Sequence, residues 1–208
     1  MKRKPEVGVL DYGMGNLRSV AKALEAAGAA VTVTDSRAVL SKSDFLVLPG
    51  QGAFGTALDV LRRKNLTDFV KNWLVADRPY LGICLGLQLL FEGSEEAPGK
   101  KGLGILKGRV RKFPSGSVGR KVPHMGWNRV EPRKTVGLPR FLPTPDYFYF
   151  VHSYYADPVD RSVLWTETSH GKTFCSAVVR GNLVATQFHP EKSGKIGLRL
   201  LQGILGTC

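Results

Sequence analysis

Up to residue 91 the chain keeps repeating one unit: a short apolar run, a turn, then apolar residues at helical spacing. Glu6-Val-Gly-Val-Leu-Asp11 closes on Tyr12-Gly-Met-Gly-Asn16, after which Leu17, Val20, Ala21, Leu24 and Ala27 line one helical face up to Gly28, where a left-handed cap would sit. Ala30-Val-Thr-Val-Thr34 reads as a second strand. Phe45-Leu-Val-Leu48 closes on Pro49-Gly-Gln-Gly52, and residues 56–75 carry helical periodicity through Leu58, Leu61, Phe69, Val70 and Trp73. Tyr80-Leu-Gly-Ile83 then leads through Cys84 into a predicted helix over 85–91. Strands and helices alternating through such short connections point to one architecture, right-handed βαβ units that build a parallel sheet covered on both faces.

From about Gly102 the rhythm changes. Strand candidates at 105–113, 147–151, 162–167, 173–179 and 183–188 are separated by turns, and 194–205 reads as a closing helix. An antiparallel extension of the same sheet is the simplest arrangement, so the expected fold class is α/β: a central, mostly parallel sheet with helices on both faces and an antiparallel extension. At 208 residues and 43% hydrophobic content, a single domain over 1–208 buries a core without any staple, and disorder as the main state is excluded. Cys84, Cys175 and Cys208 are odd in number, far apart and without metal-ligand spacing. Neither a disulfide framework nor a metal site is expected, and a reducing, cytoplasmic setting fits best. No apolar run approaches the ~18 residues that span a bilayer, and Met1-Lys-Arg-Lys-Pro5 leads into strand pattern rather than a signal peptide.

Charge is the anomaly of the composition. Thirty Lys and Arg stand against 17 Asp and Glu, a net +13, which taken alone suggests a polyanionic partner. Eleven of the basic residues fall between Lys100 and Lys134, against one acidic residue, Glu131. That stretch reads as short strands and turns, with Pro114-Ser-Gly-Ser-Val-Gly119 as punctuation, and lacks finger spacing, an aromatic RNA-binding pattern or a basic helix. A solvated basic face or a surface that steers a protein partner therefore ranks ahead of nucleic acid, and no nucleic-acid partner is expected.

The sharpest local feature is Gly82-Ile-Cys84-Leu-Gly86, a nucleophile between glycines at a strand-to-helix junction. This is the pattern of a nucleophile elbow, with the cysteine beside unsatisfied helix amides that favour negative charge. A small buried hydrophobe is the alternative for a free cysteine. A thiolate needs a proton-transfer partner, and of the four histidines His189 stands out in Gln187-Phe-His-Pro-Glu-Lys192. Pro190 stiffens the chain between His189 and Glu191, letting the carboxylate accept one imidazole N–H and leaving the other nitrogen for the cysteine. Acyl transfer also needs donors aimed at the developing oxyanion. Leu85 N–H follows the nucleophile directly. The Gly50-Gln51 peptide, in a loop placed at the same sheet edge by the rule for carboxyl ends of strands, is the second candidate.

These motifs together resemble the class I (triad) glutamine amidotransferases. More narrowly, Asp11-Tyr-Gly-Met-Gly-Asn-Leu-Arg-Ser19, Pro49-Gly-Gln-Gly-Ala-Phe-Gly55, Pro123-His-Met-Gly-Trp-Asn128, Tyr149-Phe-Val-His-Ser-Tyr154 and Gln187-Phe-His-Pro-Glu-Lys-Ser193 resemble the glutaminase subunits of imidazole glycerol phosphate synthases, over nearly the whole chain. The resemblance implies the flavodoxin-like fold of that class. It implies glutamine hydrolysis in which Cys84 forms a γ-glutamyl thioester, His189 moves the protons and Glu191 orients it. Gly50, Gln51 and Leu85 would form the oxyanion hole, while Gly52, Gln88, Ser153 and Tyr154 would line the substrate site. The family's loop more often carries an aliphatic residue at position 51, so Gln51 departs from its pattern.

The implied partner is a (β/α)₈ cyclase that forms a heterodimer with the chain. It receives ammonia through a tunnel and makes imidazole glycerol phosphate and an aminoimidazole carboxamide ribotide in histidine biosynthesis. The family's control by ligand in the partner makes the Gly50-Gln51 peptide a candidate switch. His124, Met125, Trp127 and Asn128 are expected to form a docking turn, with Tyr149 and Lys192 at the interface or gate. No metal, no organic cofactor and no membrane are implied. The rival reading is a glutaminase subunit of another synthase, or a γ-glutamyl hydrolase, on the same fold.

Overall fold

The computed structural model describes residues 3–114, 121–133, 142 and 144–206. Beyond Pro114 the predicted turn at 114–119 lies outside the described residues, as do Arg120, Lys134 and Cys208. The first half alternates as its periodicity predicts: β1 (Glu6–Leu10), α1 (Leu17–Ala26), β2 (Ala30–Thr34), a single-turn α2 (Arg37–Leu40), β3 (Phe45–Gly50), α3 (Phe54–Arg63), α4 (Thr67–Val75), β4 (Tyr80–Cys84) and α5 (Leu85–Gln88). Asn16 starts α1 by accepting the Ser19 amide on its side chain at 3.2 Å. Gly28 ends it with φ +103°.

Two helices differ from expectation. The predicted helix over 56–75 is broken into α3 and α4, because Asn65 turns left-handed at φ 56°; asparagine tolerates that conformation, and the break keeps both Leu61 and Leu66 buried. The helix expected over 85–91 keeps only its first turn, α5. The amides of Leu103, Ile105 and Leu106 fold back onto the carbonyls of Leu89 and Leu90 and take the place of further helical bonds.

The second half comprises β5 (Gly93–Ser94), β6 (Gly108–Lys112), β7 (His124–Pro132), β8 (Asp146–His152), β9 (Tyr154–Pro158), β10 (Leu164–Ser169), β11 (Thr173–Arg180), β12 (Leu183–Thr186) and α6 (Gly194–Leu205). The sheet runs β2-β1-β3-β4-β12-β11-β10-β7-β8. It is parallel from β2 through β12 and antiparallel from there to β8. The fold is therefore α/β with an antiparallel extension, as expected. The segment expected to be a docking turn, His124 to Asn128, is instead the start of the nine-residue strand β7, paired residue for residue with β8 from His124 opposite His152 to Val130 opposite Asp146.

Side-chain alternation divides the core. Leu46 and Leu48 of β3 face a layer that includes Phe54, Leu58, Leu61 and Trp73, while Phe45 and Val47 face Val20, Leu24, Leu200 and Leu201. Among the described residues no helix is long and apolar enough to cross a membrane. Part of the basic run is paired with carboxylates from other elements: Lys100 with Asp59, Arg111 with Glu95 at 3.0 Å and Asp157 at 3.4 Å, and Arg133 with Glu167 at 2.7 Å. A charge run that looks one-sided along the sequence thus has acids from other elements beside three of its residues.

Candidate active site

The carboxyl edge of the parallel strands collects the predicted chemistry. β3 and β4 stay in register to their last pair, Gly50 opposite Cys84. At that point the chain turns sharply, with Cys84 at φ 54°, ψ −102°. A non-glycine residue held at positive φ costs ~1–3 kcal/mol and persists only where its surroundings enforce it. Here they do: a Cβ on Gly82 would meet the Gly86 backbone at 2.8 Å, and a Cβ on Gly86 would run into the Leu48 carbonyl. Both glycines are needed because backbone packs directly on backbone around the elbow.

Cys84 is 6% exposed and His189 1%. His189 Nδ1 lies 2.8 Å from Glu191 Oε1, and the side chains of both are almost completely buried. Burial alone would push the imidazole down, but hydrogen bonding and charge at Cys84 and Glu191 outweigh it and raise His189 from 6.5 to about 9. His189 Nε2 and Glu191 Oε2 are buried without a hydrogen-bond partner among the described residues. One ring nitrogen is held by the carboxylate while the other is left for a reacting group. Tyr12 lies fully buried beside this edge, its hydroxyl without a partner among the described residues and close enough to bar a Cβ at Gly50. Burial first, and the charge of Cys84 second, push its proton affinity well up.

A cavity of about 390 Å³ opens over Cys84, lined by Gln51, Gly52, Leu85, Gln88, Glu96, Tyr149, Val151, His152, Ser153, Tyr154 and Lys192. Its volume suits a ligand the size of an amino acid. Most residues singled out from the sequence for the oxyanion hole and the substrate thus meet around the nucleophile, and Gly50 forms the strand end beside it. Gln88 donates to the Tyr154 carbonyl at 3.0 Å and to Gln187 Oε1 at 3.1 Å, and Gln187 Nε2 reaches Cys84 Sγ at 3.5 Å.

Sequence reasoning missed three polar members of this group. Gln187 and His152 stand inside motifs quoted above, next to residues that attracted the argument. Glu96, which accepts the Phe54 amide at 2.8 Å, sits in a loop whose sequence carries no local signal of its placement.

The residues expected at an interface divide into two groups. Met125 and Trp127 are 62% and 56% exposed on β7, and Tyr149 and Lys192 sit at the cavity with the ammonium 5.9 Å from the ring. Asn128 is half-buried and bonds inward. His124 is corrected: it is 3% exposed, because strand alternation turns it away from the face that shows Met125 and Trp127, and its ring stacks on Phe150 and His170.

The family model for class-I glutamine amidotransferases matches residues 8–202. The imidazole glycerol phosphate synthase subunit HisH of Aquifex aeolicus is 51% identical over 195 residues, covering 93% of each chain. That of Deinococcus radiodurans is 51% identical over 202 residues, 97% of this chain and 93% of the relative. That of Syntrophotalea carbinolica is 48% identical over 199 residues, 93% and 96%. Among solved structures, PurLQS from Thermotoga maritima resembles the chain with a TM-score of 0.73 at 21% identity, covering 99% of both, and a glutamine amidotransferase does so with 0.74 at 20%, covering 96% and 98%. At such identities the structural likeness speaks for the fold alone.

Proposed function

This chain belongs to the class-I glutamine amidotransferase family, and from that premise we propose that it is the glutaminase subunit of an imidazole glycerol phosphate synthase, acting in the cytoplasm on histidine biosynthesis. The observation that carries the reading is the meeting of Cys84, at a strained elbow on the wall of a polar cavity, with the buried His189–Glu191 pair. High identity to HisH subunits supports the choice of synthase.

In the reaction, glutamine enters with its carboxamide toward Cys84. Glu96, the acidic residue among those lining the cavity, offers a counter-charge to the substrate ammonium. Cys84 Sγ attacks the carboxamide carbon, and the oxyanion is met by Leu85 N–H and by the amide of Gln51 once the Gly50-Gln51 peptide presents it. His189, held protonated by its anionic neighbours, gives its Nε2 proton to the leaving nitrogen. Ammonia departs and a γ-glutamyl thioester remains. His189, now neutral, takes a proton from water as the hydroxide adds to the thioester; glutamate leaves and Cys84 returns as thiolate. Glu191 accepts the Nδ1–H throughout and fixes the ring.

Ammonia then passes to a (β/α)₈ cyclase subunit. The exposed side chains of Met125, Trp127 and Tyr147 on β7 and β8, beside the cavity that Tyr149 lines, are the docking face of this reading, with Trp127 as its anchor. The test is Cys84→Ala in the complex with the cyclase. Glutamine-dependent synthesis falls to background while an ammonium salt still supports synthesis through the partner. Loss of both activities would overturn the proposed division of labour.

A further inference from the structure

Behind the cavity wall lies a chain of hydrogen bonds that the mechanism above does not use. Asn128 Nδ2 is 3.0 Å from His124 Nε2, His124 Nδ1 is 2.8 Å from His152 Nε2, and His152 Nδ1 is 2.8 Å from the Tyr154 carbonyl. The chemistry of the two ends fixes its direction. The Asn128 side-chain oxygen already accepts the Arg129 amide at 2.8 Å, so its nitrogen faces His124 and can only donate; the carbonyl of Tyr154 can only accept. Each imidazole must then carry its proton on Nδ1 and accept on Nε2, and both must be neutral. The surroundings agree: Phe113, Phe150, Phe174 and His170 pack around the two rings, and burial holds His152 down to about 3.

The Tyr154 carbonyl at the end of this chain is also the acceptor for Gln88, and Gln88 in turn bonds Gln187, which reaches Cys84. We propose that His124 and His152 are positioning residues: their one-directional hydrogen-bond chain holds the Tyr154 carbonyl, and through it the Gln88 amide, in the place that lets Gln88 bind glutamine. The inference rests on the glutaminase reading for its substrate, while the chain itself stands on the geometry. It starts at Asn128, one residue from the exposed Trp127, so β7 joins the outer face to the wall of the cavity.

The experiment uses the complete complex with its cyclase and four proteins: wild type, His152→Phe, His152→Gln and His124→Phe. In His152→Phe the ring packing is kept and the bond to Tyr154 is lost, so KM for glutamine rises ~10-fold, the equivalent of one hydrogen bond, with kcat within about 3-fold. His152→Gln can still donate to Tyr154 and accept from His124, and stays within about 3-fold of wild type in both parameters. His124→Phe leaves the last bond in place and raises KM by about 3-fold. Ammonium-dependent synthesis is unchanged in all of them.

An unchanged KM in His152→Phe, or equal damage in His152→Gln, would overturn the proposal. Should His152→Phe fail to unfold cooperatively, the imidazole tautomers of the wild-type protein decide the proposal in its place. Nitrogen chemical shifts of the imidazoles read the tautomers directly, without reference to activity. Wild-type His124 and His152 are neutral Nδ1–H tautomers at pH 7, and finding either one charged or protonated on Nε2 overturns the chain. A wild-type complex that turns over no glutamine is failure of the glutaminase reading instead, and the tautomers still decide the hydrogen-bond chain.

Discussion

Two buried histidines near the same strand meet opposite fates: the His189 amide bonds the Tyr149 carbonyl of β8, the strand that carries His152. His189, three residues beyond β12, is 1% exposed and held up at about 9. His152, on β8 in the antiparallel extension, is 6% exposed and held down at about 3. Burial opposes the charged form in both. The difference lies in what each ring faces: the Cys84 sulfur and the Glu191 carboxylate at His189, and a carbonyl, phenylalanine rings and the imidazoles of His124, His170 and His189 at His152. Partner charge, more than depth, decides which histidine carries a proton. The first is suited to proton transfer and the second to holding one hydrogen-bond direction.

The largest test of this contrast is His189→Asn, for which glutamine turnover falls ~10³-fold or more, in keeping with loss of a general acid–base group. An effect within 10-fold, measured as glutamate release in the complex, would remove His189 from the chemistry. Glu191→Gln comes next. It keeps a hydrogen-bond acceptor but removes the charge, so the proton affinity of His189 drops from about 9 toward its ordinary 6.5, and turnover falls ~10²-fold. An NMR titration that leaves His189 where it was would show that the carboxylate is not the cause.

On the other side of the comparison, the sign of the pH effect reverses. Folded His152 resists protonation down to about 3, whereas in the unfolded chain a histidine takes a proton near 6.5. The unfolded state therefore binds the extra proton, and stability present above about pH 6.5 is lost as pH falls, by about 2 kcal/mol at pH 5. His152→Phe removes this contribution, so its urea midpoint should fall less than that of wild type between pH 7 and pH 5. Parallel curves would contradict the neutral, buried state of His152. The smallest effect is expected at His170, which stacks on His124 at 4.2 Å and 25° but stands outside the hydrogen-bond chain. His170→Phe keeps the stack and costs less than about 1 kcal/mol, with KM for glutamine unchanged.

Much of the parallel half is legible along the chain, because each strand and helix there is specified by local periodicity and each turn by its glycines. Helix bounds are less so. Asn65 splits one predicted helix in two, and the fold-back of residues 103–106 shortens another, since both depend on what the neighbouring segment offers. In the antiparallel half, local pattern shows neither β9 nor the strand character of β7. Short strands there draw their hydrogen bonds from partners many residues away, and His124-Met-Gly-Trp-Asn128 reads as a turn until β8 lies beside it.

By itself the sequence determined the α/β alternation, the strained elbow at Cys84 and the candidate pairing of His189 with Glu191, because glycine sterics, proline stiffness and periodicity act over a few residues. Only the tertiary structure decided that Glu96, His152 and Gln187 join the site, that Arg111 and Arg133 of the basic run meet carboxylates from other elements, and that His124 turns inward while Trp127 turns out. The physical reason is the same in each case: electrostatic environment and burial are set by groups brought together across the sheet, and no local window of the chain contains them.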